Sequence, residues 1–165
     1  MVVEQCQKWV EEFVIGHNLC PFAHPFVQNK QVEYQLSTAH SLEERLQEFL
    51  DVLDNLDNEE KIRTILLIYN DPQLDFDSYL DLYELCEDLL EDEQRAYQLA
   101  SFHPEYCFSD APQNDPANLS NRSPYPMVHI LRLDDVALAI QQHKDVTSIP
   151  TRNISYLRRV FSNKL

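Results

Sequence analysis

Residues 62–69 read Ile-Arg-Thr-Ile-Leu-Leu-Ile-Tyr, and Asn70-Asp71-Pro72 ends the run. A stretch of this length, nearly continuous in Ile and Leu, reads as a central strand of a sheet. Working outward, Ser41 and Glu44 form an S-x-x-E capping box ahead of Leu42, Leu46, Phe49, Leu50 and Leu53, which predicts a helix before the strand. Phe76, Tyr79, Leu80, Tyr83, Cys86 and Leu90 recur at helical spacing and predict another after it, over about 76–92. Acids at Glu91–Glu93 oppose that helix's dipole, so its end is expected to fray. Gln31–Ser37 alternates as a half-exposed strand, and Ala96–Phe102 and Met127–Leu133 read as two more. Val3, Cys6, Val10, Phe13 and Val14 predict a first helix over 2–15, closed by Gly16 in a left-handed cap, with Pro21 and Pro25 excluding further helix. A short helix is expected from Asp134 and a last one from near Pro150 or Thr151. Alternating strands and helices give an α/β (or α+β) class: a two-layer sandwich with a mixed four-stranded sheet, in one globular domain over 1–165. Whether the helices cover one face or both is left open.

The chain is 165 residues with 28 acids against 13 lysines and arginines, a formal charge of −15. Residues 41–93 hold 18 of those acids and only Arg45, Lys61 and Arg63, so the whole net charge lies there. The C-terminal stretch leans the other way, with Lys144, Arg152, Arg158, Arg159 and Lys164. Such a balance excludes a general nucleic-acid or anionic-membrane binder, whose partners demand a basic surface. No apolar run is long enough to span a bilayer, and Glu4, Glu11 and Glu12 interrupt any leader-like start. Four scattered cysteines without a CxxC pair read as reduced thiols, so a cytoplasmic location is expected. A single glycine leaves no Gly-rich phosphate loop and no G-x-S-x-G elbow.

The 24 residues from His103 to Pro126 carry five prolines and no periodicity. Structureless segments of that length inside a domain are usually functional or disordered, and Phe102, Tyr106, Phe108 and Tyr125 at its two ends speak against disorder there. If the flanking strands pair, His103, Tyr106, Asn121, Arg122 and Ser123 converge. Arg122, between an amide and a hydroxyl, suits a carboxylate or phosphate; it could equally tie the loop together through backbone carbonyls. His103 is the candidate acid or base. His129 and Arg132 are three apart on one strand and face opposite sides. His129 reads either as a ligand contact or as a hydrogen-bonded core histidine.

A second cluster is Asn18-Leu19-Cys20-Pro21-Phe22-Ala23-His24. Cys20 is a candidate nucleophile, though its place after a helix C-terminus disfavours a thiolate. His17, Cys20 and His24 have half the spacing of a zinc site, and a buried cysteine in a tight turn is the plainer reading.

Three motifs carry a resemblance: Asn18-Leu19-Cys20-Pro21-Phe22-Ala23; Gln98-Leu99-Ala100-Ser101-Phe102-His103-Pro104 followed by Tyr106 and Phe108; and Asn121-Arg122-Ser123-Pro124-Tyr125-Pro126 followed by His129 and Arg132. In this order they resemble a bacterial and plant-plastid family described as a domain of unknown function. The resemblance implies one small cytoplasmic domain and names no reaction, cofactor or partner. It also marks departures at His17, Ser109 and Leu133, where relatives carry other residue types.

Two functions follow as expectations. One is a pocket at the 18–24 turn and the 102–126 loop that binds a small anionic ligand or acts as an enzyme, with Cys20 and His103 catalytic and Tyr106, Asn121, Arg122, Ser123, His129 and Arg132 binding. The other is a non-catalytic module whose acidic helices, 41–57 and 76–93, dock a basic protein. No cofactor and no oligomeric state is readable.

Overall fold

The computed structural model describes residues 1–142, 145 and 148–162. The two expected cations Lys144 and Lys164 lie outside them. A four-stranded sheet is formed by β1 (Val32–Leu36), β2 (Thr64–Ile68), β3 (Tyr97–Phe102) and β4 (Met127–Arg132), in the order β1-β2-β4-β3. β1 and β2 run parallel, whereas β4 is antiparallel to both of its neighbours. The expected mixed sheet is therefore present, and all five residues of β2 are buried.

The two faces of β2 explain that burial. Ile65 and Leu67 enter a core with Phe49, Val52 and Leu56 of α3 (Leu42–Asn58) and with Tyr79, Leu82 and Cys86 of α4 (Phe76–Asp92). Leu66 and Ile68 enter a second core with Cys6 of α1 (Val2–Trp9) and Val10, the first residue of a π-helical stretch over Val10–Ile15. Helices therefore cover both faces, and the expected two layers become three because the N-terminal helix takes the side that α3 and α4 leave free. Asp75 caps α4 through the Ser78 amide, and the Ser41–Glu44 capping box forms as read. Among the described residues no helix is long and apolar enough to cross a membrane.

Several local expectations are corrected. Gly16 is right-handed (φ −58°), and the left-handed residue of that turn is Asn18 (φ 51°). Glycine is needed instead because a Cβ there would run into the Glu12 carbonyl group, 2.9 Å from its carbon. The prolines do not exclude helix from 21–30, where α2 spans Ala23–Gln28. Pro25 is its third residue, a position whose N–H has no intrahelical acceptor. The end of α4 is closed rather than frayed: Gln94 is left-handed (φ 52°), the Arg95 amide returns to the Leu90 carbonyl, and the Arg95 guanidinium reaches Asp54 and Asp57 of α3, each at 2.5 Å. The 103–126 loop contains a 3₁₀ turn over Pro116–Ser120.

The chain closes with α5 (Leu133–Gln142) and α6 (Ile149–Phe161). α6 is tied back to the 17–20 turn at three points: Asn153 Nδ2 donates to the Leu19 carbonyl (2.7 Å), Arg152 Nη2 to the Asn18 carbonyl (2.5 Å), and His17 Nδ1 meets Tyr156 Oη (2.8 Å). Arg158 also binds Asp115 of the long loop.

Candidate functional site

The π-helical stretch, α2 and the sheet enclose a partly open cavity of about 120 Å³. Trp9, Val10, Phe22, Phe26, Leu66 and Phe102 supply much of its wall. Cys20, Thr64 and His129 also line it and carry hydrogen-bonding groups, as the Trp9 indole N–H does. The sheet register brings Thr64 and His129 together. Thr64 pairs with Leu131 and Leu66 with His129, so Thr64 and His129 are diagonal neighbours on the face toward α1. Thr64 Oγ1 lies 2.7 Å from His129 Nε2 and 2.6 Å from the Ile130 carbonyl oxygen. Arg132, with the opposite parity, leaves this face and caps α3, donating to the carbonyls of Leu56, Glu59 and Ile62.

Cys20 comes to the cavity from the turn that α6 holds. The backbone amides of Phe22 and Ala23, at the start of α2, favour its thiolate, while the Ala23 N–H itself donates to the Cys20 carbonyl (3.2 Å). Burial nevertheless dominates and raises the thiol's pKa, with those amides and Arg152 opposing it. At neutral pH Cys20 is a thiol rather than a thiolate. No hydrogen bond joins Cys20 to His129 among the described residues, so the two do not form a nucleophile–base pair by themselves.

Burial also pushes His129 down, from 6.5 to about 4. An unfolded chain protonates this imidazole below pH 6.5 and the folded chain only below about pH 4. The unfolded state thus binds the extra proton in that window, and stability falls as the pH drops through it, by about 3 kcal/mol. His129→Phe should remove that slope, leaving a urea midpoint less sensitive to pH between 7 and 4 than the parent's; identical slopes would disprove the assignment.

The other sequence candidates lie elsewhere. The two flanks of the long loop do meet: the His103 amide donates to the Asn121 carbonyl (3.1 Å), and Asn121 Nδ2 to the Ser101 carbonyl (2.9 Å). They meet as a bonded framework, separate from the cavity of Cys20 and His129. His103 is buried against Phe76 and Tyr79; its Nδ1 accepts from the Glu105 amide, so its Nε2–H donates to the Leu74 carbonyl and neither nitrogen is left over. Arg122 donates from Nε to the Tyr106 carbonyl and from Nη2 to the Gln113 carbonyl, the loop-tying alternative. Ser123 Oγ donates to the Tyr125 carbonyl, and Tyr106 Oη accepts from Ser101. His17 is engaged with Tyr156, His24 is exposed, and no group of three metal-ligating side chains is gathered among the described residues.

The centre of the framework is Asn118, fully buried. Its Oδ1 accepts from the Phe108 amide (3.0 Å), while Nδ2 donates to the carbonyls of Pro112 (2.9 Å) and Gln113 (3.3 Å). Reading the sequence missed Asn118 and Thr64. Thr64 had a signal, a hydroxyl inside an otherwise apolar central strand; Asn118 had none beyond its place in the loop.

A family model described as protein of unknown function (DUF1415) matches residues 1–165. The chain belongs to that family. No curated protein and no solved structure gives a significant match. For this DUF1415 chain the family supplies no chemistry, so the cavity with its Cys20, Thr64 and His129 groups is the starting point for function.

Proposed function

We propose that the protein binds a small, uncharged, mostly apolar molecule in the cavity between α1, α2 and the sheet. The observation that carries this reading is a preformed apolar space with a thiol and an imidazole in its wall. Binding sites are commonly concave, apolar and fitted with a few polar groups. No lysine, arginine, aspartate or glutamate lines the cavity, so a charged ligand would lose hydration without compensation. That favours a neutral ligand over the anion suggested by Arg122. An apolar cavity of roughly 150 Å³ is known to take up benzene, so about 120 Å³ suits one small ring or a short branched chain.

The test uses toluene as probe and the alkylation rate of Cys20 as readout, with Cys20→Ser as blank. Toluene at about 100 times its dissociation constant should raise stability by about 2.7 kcal/mol and slow alkylation. Ala23→Leu, which projects a larger side chain from α2 into the space, should abolish both effects. An unchanged alkylation rate together with an unchanged melting temperature would reject the reading.

A second reading keeps the acidic helices. α3 and α4 pack side by side over one face of the sheet and turn Asp51, Asp54, Asp81, Glu84, Glu87 and Asp88 to solvent. Such a surface favours a basic protein. Glu84→Lys with Glu87→Lys should abolish its capture, and added salt should weaken it; capture indifferent to both changes would reject this alternative.

A further inference from the structure

The chemical class of the ligand follows from where one proton must sit. The Ile130 carbonyl oxygen can only accept, so the single hydroxyl proton of Thr64 is committed to it across 2.6 Å. Thr64 Oγ1 is then the acceptor for His129 Nε2 at 2.7 Å, and that nitrogen carries the imidazole proton. A neutral imidazole with its proton on Nε2 has a bare lone pair on Nδ1. Nδ1 has no hydrogen-bond partner among the described residues, and it is not one of the side-chain atoms sealed from solvent without one. His129 lines the cavity, and the Nδ1 lone pair is an acceptor that no described residue meets.

We infer that the cavity takes a one-ring phenol, its ring against Trp9, Phe22 and Phe102 and its hydroxyl donating to His129 Nδ1. This rests on the reading of the cavity as a ligand site and adds the donor that the ligand must carry. A hydrocarbon ring fits the space but leaves Nδ1 unpaired in a desolvated setting, which is costly. A carboxylate or phosphate has no donor for Nδ1 and no cation in the wall to meet. An ammonium has the donor but no carboxylate beside it. A phenol is neutral near pH 7, brings one donor, and presents a flat ring to three aromatic side chains. Thr64 acts as a positioning residue: it fixes the tautomer without touching the ligand.

The experiment compares p-cresol with p-xylene, the same ring with hydroxyl replaced by methyl, by calorimetric titration at pH 7. Alongside it, ¹⁵N spectra of the imidazole in the unliganded protein read the tautomer. The expected result is about tenfold tighter binding of p-cresol, the size of one well-made hydrogen bond. The spectrum should show Nε2 protonated and Nδ1 bare, with Nδ1 shifting when p-cresol binds. His129→Phe should erase the preference, and Thr64→Val should reduce it while redistributing the tautomers. Should His129→Phe fail to fold, the ¹⁵N spectrum and Thr64→Val decide the question. A proton on Nδ1, or equal affinity for the two probes, overturns the phenol assignment and leaves the apolar site standing. Failure of both probes to bind or to protect Cys20 overturns the site as well.

Discussion

Asn118→Leu is expected to destabilise the protein by about 4 kcal/mol, because it strips hydrogen bonds from three backbone groups at once. The Phe108 amide donates to this side chain, and the carbonyls of Pro112 and Gln113, which also accept from the Asp115 amide and from Arg122, take its two donors. Asn118 has no solvent exposure, so water cannot take its place. Leucine matches the volume but offers neither donor nor acceptor. In a chain of this length each kcal/mol is worth about 2–4 °C of melting temperature, so the drop should approach 8–16 °C. Asn118→Asp keeps the acceptor for Phe108 but turns a buried carboxylate oxygen onto the Pro112 and Gln113 carbonyls, and should cost at least as much as leucine in urea titrations at pH 7. A loss under about 1 kcal/mol for leucine would show that the loop is held elsewhere, by Arg122 and the Asp115–Arg158 pair.

Gly16→Ala is the second large effect, at about 3 kcal/mol. The residue is right-handed, so the cost does not arise from the usual penalty on left-handed side chains. It arises because the backbone there folds over Glu12, leaving no volume for a methyl group. The Leu19 amide reaches back five residues to the Val14 carbonyl (2.8 Å), and the Gly16 amide reaches Glu11 (3.1 Å). Alanine must open that wide turn, and Cys20, which follows it, should move with it. The substitution should therefore lower the melting temperature and speed alkylation of Cys20. Asn18→Gly, at the left-handed position, should be neutral or slightly stabilising in the same assay. A Gly16→Ala variant as stable as the parent would refute the close approach.

The sheet and its long helices were legible because each expresses a local pattern: the continuous run at 62–69, the box at Ser41–Glu44, the aromatic stripe from Phe76. Layering was less legible, since Leu66 and Ile68 look the same whether they meet α1 or solvent. α2 was hidden because Pro25 is forbidding in mid-helix and harmless in the first turn. Of the residues singled out for chemistry, the structure brings Cys20 and His129 to one cavity. Nothing local separates them from His103 or Arg122, whose hydrogen-bonding groups turn to backbone groups of the long loop and, for His103 Nε2, to the Leu74 carbonyl. That difference depends on which carbonyls happen to face them, a matter of tertiary contact. Thr64, which fixes the proton on His129, was visible as a type but its role required the β2–β4 register.

The strand order has a consequence for how the chain is made. Among the described residues β3 pairs only with β4, which joins it to the β1–β2 ribbon. As synthesis proceeds, β3 emerges from the ribosome with nothing to pair with until the last residues of β4 have followed the long loop out. The nascent protein must therefore carry an open sheet edge through that interval, with the five-proline segment limiting how far the waiting strand can wander.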